Sequence, residues 1–154
     1  MSHKSLNKII QDLASQTRGN PRLFLNAFSP IHVIWHARRG VIVGQQLLPV
    51  GFLTFHHSAV VAYRKVLRSV NDPLPTPWGP DYDSAIDEIS EPVEFSHTIE
   101  QWHNGVHNRD MSLMNPATNI RQPKFWALHN FIDHKFLAWQ RRYRRTTSAE
   151  HQTV

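Results

Sequence analysis

Two histidine triplets of nearly equal spacing, one in each half of the chain, constrain the fold more than any other feature. His32-x-x-x-His36 is followed twenty residues later by His56, and His103-x-x-x-His107 is followed twenty-two residues later by His129. Residues four apart on a helix stand on one face with Cβ atoms about 5–6 Å apart, close enough to grip one ion. A third imidazole from the next antiparallel helix completes a three-nitrogen site. Two such helix hairpins packed together form a four-helix bundle holding a binuclear metal site in its core. A single histidine on an apolar helix face is more often an ordinary core residue. The repetition of the pair-plus-one pattern is what points to metal.

The local patterning agrees with a helical chain. "LNKIIQDLASQ" places Leu6, Ile9, Ile10 and Leu13 at one-sided helical spacing, and "RGNPR" breaks it, so a short N-terminal helix is expected. Ser29 and Pro30 read as the N-cap and first-turn proline of a helix, "PIHVIWHARRG", that Gly40 closes. "VIVG" is a candidate short strand, and Pro49 opens the longer helical stretch "PVGFLTFHHSAVVAYRKVLRSV". Residues 71–92, rich in Pro, Asp and Ser, predict a connection over the surface. "VEFSHTIEQWHNGVH" and "KFWALHNFIDHKFLAWQRRYRR" then supply a second helix pair around the loop "NRDMSLMNPATNIRQP". The expected organisation is one mainly all-α domain over residues 1–154, with helix pairs at 30–70 and 93–145 and long loops.

Composition decides which donors are available. The chain has no cysteine, which excludes disulfides, thiolate ligands and cysteine nucleophiles, so a metal must be held by nitrogen and oxygen. Imidazole suits zinc, copper, iron and nickel alike. Carboxylate-bridged di-iron and di-manganese bundles need Glu-x-x-His on two helices and a glutamate from each of two others. Here Glu94-x-x-His97 and Glu100-x-x-His103 fall on one segment and no glutamate precedes Glu88. Two all-histidine triads favour copper, with zinc next.

The same composition sets the class of partner. Apolar residues at 40% and charged residues at 19% describe a soluble globular chain. "MSHKSLNKIIQDLASQ" lacks the apolar core of a secretory signal, and no apolar run approaches the ~20 residues of a membrane span. A soluble, cytoplasmic protein with no membrane partner is expected. Net charge is +5, with seven of the basic residues between Arg121 and Arg145, densest in "QRRYRR". Beside Trp139 and Tyr143 these suit phosphates and bases. No nucleic-acid motif accompanies them, and cations equally suit a helix C-terminus, so no nucleic-acid partner is expected.

The second half also resembles a known family, the type-3 copper proteins, which include tyrosinases, catechol oxidases and haemocyanins. "WHNGVHN" resembles that family's His-Asn-x-Val-His element. "QPKFWALHNFIDHKFLAWQ" is similar to its Asp-Pro-x-Phe-x-x-His-His-x-x-x-Asp followed by Trp-Gln. The likeness covers residues 100 to 140 and implies that His103, His107 and His129 ligate the second copper, CuB. Gln122 stands where the family has Asp, Leu128 replaces the first histidine of the pair, and the Gly-Gly after the second ligand is missing. In the first half, "FLTFHHSAVVAYRKVL" resembles the segment around the third CuA ligand, where His56 fits better than His57. Leu47 occupies the position where tyrosinases carry another histidine. The arthropod haemocyanin arrangement, two ligands four apart and a third on the next helix, implies His32, His36 and His56 for CuA.

The resemblance implies two copper ions, O2 as co-substrate, and oxidation or oxygenation of a phenol, catechol, aminophenol or related small aromatic, as in a specialised biosynthetic enzyme. A copper-delivery protein is a candidate partner. Glu100 and Asn104 resemble the residues that hold a water near CuB and serve its catalysis. Asp133 matches the family's Asp, either fixing a ligand's tautomer or in a structural pairing with a nearby cation. His57, His97 and His134 are expected to be partly exposed or on the substrate side. The alternative reading is a protein that binds O2, copper or zinc without turnover.

Overall fold

The computed structural model describes residues 3–143, and side chains from residue 8. Arg144 and Arg145 of the basic cluster lie outside the described residues, as do the first two residues. The chain is mainly helical. Its helices are α1 (His3–Gln16), α2 (Pro21–Arg38), α3 (Phe52–Arg68), α4 (Pro92–Asn108) and α5 (Pro123–Tyr143), with one strand pair, β1 (Gly40–Val43) and β2 (Gln46–Pro49). No helix among the described residues is long and apolar enough to cross a membrane.

α2 begins nine residues earlier than Ser29 and Pro30 suggest. The cap is Asn20, whose side chain accepts from the Leu23 amide at 3.2 Å, and Pro21 takes the first helical position. This is the same N-cap and proline signal, met one step sooner. Pro30 therefore lies inside the helix, where it cannot donate to the carbonyl four residues back. Phe24 and Phe28, both fully buried on the preceding turns, offset that loss by packing. Ser29 is no cap: its hydroxyl donates to the Ala117 carbonyl at 2.8 Å, tying α2 to the loop before α5.

The far end of α2 also differs from expectation. Arg39, at φ 56°, takes the left-handed C-cap, and its N–H donates to the Trp35 carbonyl. Gly40 instead opens the strand pair, where a Cβ would collide with the Leu48 carbonyl. "VIVG" is indeed a strand, and its partner is the unpredicted Gln46–Pro49, in register Gly40↔Pro49 and Val41↔Leu48. Pro49 ends that strand rather than opening a helix; Gly51 caps α3. Proline has no N–H to give a ladder, so a strand terminus suits it.

Residues 71–92 run over the surface as expected, broken by one 3-10 turn at Ser84–Glu88. They are pinned by the Trp78 amide on the Ala127 carbonyl, the Asn130 side-chain amide on the Pro75 carbonyl, the Trp102 indole on the Pro80 carbonyl and the Trp139 indole on the Ile89 carbonyl, among other bonds to α5. The core is aromatic. Phe28 meets Phe55 at 5.9 Å between centroids, Tyr63 meets Trp126 at 4.3 Å, and Phe95 stacks on Trp139 at 5.1 Å. Each fully buried phenylalanine contributes about 1.5–3 kcal/mol relative to exposure. Into the middle of this apolar mass, α2, α3, α4 and α5 each turn one or two histidines.

Candidate metal centre

Five of the six repeated histidines are buried and His36 is half-buried. They form two groups, His32, His36 and His56, and His103, His107 and His129. In each group one nitrogen from every ring lies within 4.8 Å of the others. Both groups can hold a metal ion. An ion bound about 2.0–2.1 Å from three nitrogens sets them roughly 3.4 Å apart. His32 and His36 already approach to 3.0 Å through their Nε2 atoms, and His103 and His129 to 3.2 Å. Small side-chain rotations would complete each set.

The other ring nitrogens show why Nε2 is the free one. His32 Nδ1 donates to the Pro116 carbonyl at 2.8 Å, His56 Nδ1 to the Phe52 carbonyl at 2.8 Å, and His107 Nδ1 to the Leu113 carbonyl at 2.6 Å. His103 Nδ1 faces the Asn104 Oδ1 at 3.0 Å. A carbonyl can only accept, so the proton sits on Nδ1 and the Nε2 lone pair is left for a metal, the arrangement that orients imidazole ligands. His56 Nε2, His107 Nε2 and His129 Nδ1 are buried with no hydrogen-bond partner. His129 already faces His103 with Nε2, but His56 Nε2 and His107 Nε2, one in each group, are orphaned acceptors costly in a core, and a cation in each group answers that cost.

Electrostatics keep these rings neutral. Burial pulls His32 down to about 3, helped by His36, and pulls His36 down to about 4, helped by His107 and Arg39. Burial also holds His56, His103 and His129 well below the ordinary histidine value. For His107 burial outweighs the opposing Leu113 carbonyl and the Asp110 charge. Rings that carry no second proton at neutral pH have none to displace when a metal binds.

The groups face one another. His56 stacks on His129, centroids 4.4 Å apart, and Phe125 touches both sides, 5.3 Å from His32 and 4.3 Å from His129. A cleft of about 310 Å³ opens over His36, His103 and His107, walled by Asn104, Met114, Pro116 and Asn119. The centre thus has a closed apolar side and an open side.

His56, rather than its neighbour, joins the first group; His57 turns away and its Nδ1 meets Asp133 Oδ1 at 2.6 Å. Asp133 is buried and binds His57, not the ligand-like His129. Asn104 lines the cleft. Glu100 is differently engaged: Arg39 grips both of its oxygens, at 2.5 and 2.6 Å, while the guanidinium lies 4.2 Å from the centroid of the Trp35 ring. His97 and His134 are exposed and belong to neither group.

The residues missed by sequence reasoning are mostly backbone acceptors. Leu113 and Pro116 hold one histidine of each group, from a single loop, and that loop is braced by Asn119 Nδ2 on the Leu113 carbonyl and by Ser29 on Ala117. A carbonyl belongs to every residue type, so nothing in the sequence marks these two. No protein-family model, curated protein or solved structure matches the chain.

Proposed function

We propose that the two histidine groups hold a pair of copper ions and that the chain is an O2-dependent oxidoreductase acting on a small aromatic such as a phenol, catechol or aminophenol. One observation carries the reading: two three-imidazole sets, with tautomers fixed by backbone carbonyls in three of the six rings and a buried Nε2 left unpartnered in each set, meet across the His56–His129 stack. Neutral nitrogen donors without carboxylate or thiolate suit copper, with zinc the next choice. Bound copper would supply the redox chemistry and the binding of O2; the residues supply position and access.

Their part can be followed from the geometry. His32, His36 and His56 would hold one ion; His103, His107 and His129 would hold the other. Phe52, 4.7 Å from His103, and Phe125 close the buried side against water. The cleft over His36, His103 and His107 is the side from which a flat ring can approach, and Asn104 offers it a polar side chain. That opening favours turnover of a substrate over a sealed O2 store. Asn104 also accepts from His103 Nδ1, coupling the cleft wall to a ligand.

The test is copper stoichiometry and turnover in one preparation. Reconstituted protein is expected to hold two copper ions and to consume O2 when given catechol or an aminophenol. Protein that never retains more than a trace of copper would falsify the reading.

A further inference from the structure

Methionine is scarce in this chain, three in all, and two of the three stand within four residues of one another, Met114 on the wall of the cleft. Met111 and Met114 flank the short 3-10 turn before α5, with side chains 86% and 51% exposed. Met111 is almost wholly in solvent and Met114 about half so, and neither belongs to the buried core. Met114 lines the cleft together with His36, His103 and His107. Met111 opens the turn and Met114 caps it, its N–H donating to the Met111 carbonyl, and residues three apart at this spacing fall on the same side of the backbone. The turn itself is firmly held: Asp110 accepts from the Ser112 amide and hydroxyl, Lys124 pairs with Asp110, and fully buried Leu113 gives its carbonyl to His107. Two exposed thioether side chains therefore stand on a fixed base that is bonded to His107.

Thioether sulfur is the one soft donor left in a chain without cysteine, and it selects Cu(I) among biological ions. We propose that Met111 and Met114 form a Cu(I)-capture site at the mouth of the cleft, which takes up the ion and passes it inward to the histidine groups. This rests on the copper reading above. Two thioethers make a weak site and three imidazoles a strong one, so the ion moves down the gradient of donor strength without changing oxidation state. Holding it beside the cleft makes the second step intramolecular, which raises its effective concentration.

The experiment labels the methionine methyl groups with carbon-13 and titrates metal-free protein anaerobically with Cu(I) supplied as its acetonitrile complex. The Met111 and Met114 methyl signals should move with the first additions, and Zn(II) should leave them in place. In parallel, the M111L/M114L double variant should fill to the same two ions but load from Cu(I) about tenfold more slowly. Methyl signals that stay still, or a loading rate that the double variant leaves unchanged, overturn the proposal while the triads still fill and the copper reading stands. Shifted methyls over triads that never fill would support capture and overturn the binuclear centre instead.

Discussion

His56 of α3 and His129 of α5 lie face to face, their planes 14° from parallel and their centroids 4.4 Å apart. They come from different histidine groups, so this stack is the wall the two groups share. It also sits in the core, against Phe52 and Phe125. Metal binding as proposed above would compete with stability at the same atoms.

The competition predicts a stabilising loss of function. His56 Nε2 is buried without a partner, and the Phe52 carbonyl that His56 Nδ1 bonds lies four residues back on the same helix, where it can keep its backbone donor. His56→Leu exchanges an unsatisfied polar ring for an apolar group of similar size. Metal-free protein should gain about 1–2 kcal/mol in urea unfolding, while copper retention falls from two ions toward one. A metal-free variant less stable than the parent would contradict the assignment of an orphaned nitrogen.

Acid should unfold the metal-free protein through the same rings. Their folded pKa values lie below 6.5, with His36 at about 4 and His32 at about 3, so the unfolded chain binds more protons as the pH falls. Stability is complete above the unfolded value and is lost between 6.5 and about 3–4. Each histidine contributes a slope of about 1.4 kcal/mol per pH unit across its window. Urea midpoints at several pH values read this directly, and a curve flat from neutral to the His36 value would refute it. Metal release, which exchanges ion for proton, should begin within that window.

Two braces on one loop should tune the two groups separately. Ser29 holds Ala117, next to the Pro116 carbonyl that fixes His32; Asn119 holds the Leu113 carbonyl that fixes His107. Ser29→Ala should weaken the first ion and Asn119→Leu the second, each by about tenfold in competition with a chelator. Asn119→Leu should cost little stability, since it also removes an unpartnered buried Oδ1. Equal weakening of both ions by either variant would show that the loop acts as one unit.

Asn104 and Glu100 should separate in turnover. Asn104 lines the cleft and holds His103, whereas Arg39 occupies both Glu100 oxygens. Asn104→Ala is expected to lower kcat by about tenfold or more through its ligand. Glu100→Gln should leave kcat within a factor of about three, its effect being the roughly 1 kcal/mol of a partly exposed ion pair. A large loss of kcat in Glu100→Gln with intact copper content would restore the carboxylate to the chemistry.

Much of this centre was legible in the residue order, because its closest relations are local. Four-residue spacing on a helix brings His32 to His36 and His103 to His107 whatever surrounds them, and the apolar periodicity of α3 and α5 delivers a third ring to each. Absence of cysteine limited the donors just as firmly. What needed the tertiary structure depends on groups distant in sequence or common to all residues. Local signals could not choose Asn20–Pro21 over Ser29–Pro30 as the start of α2, since both carry the same cap chemistry and burial of Phe24 and Phe28 decided it. Nor could they place Arg39 on Glu100, turn His57 to Asp133, or send the Leu113 and Pro116 carbonyls to His107 and His32. Spacing along a helix determined which imidazoles share a face; long-range hydrogen bonds, which leave no mark on residue type, decided which nitrogen each one offers.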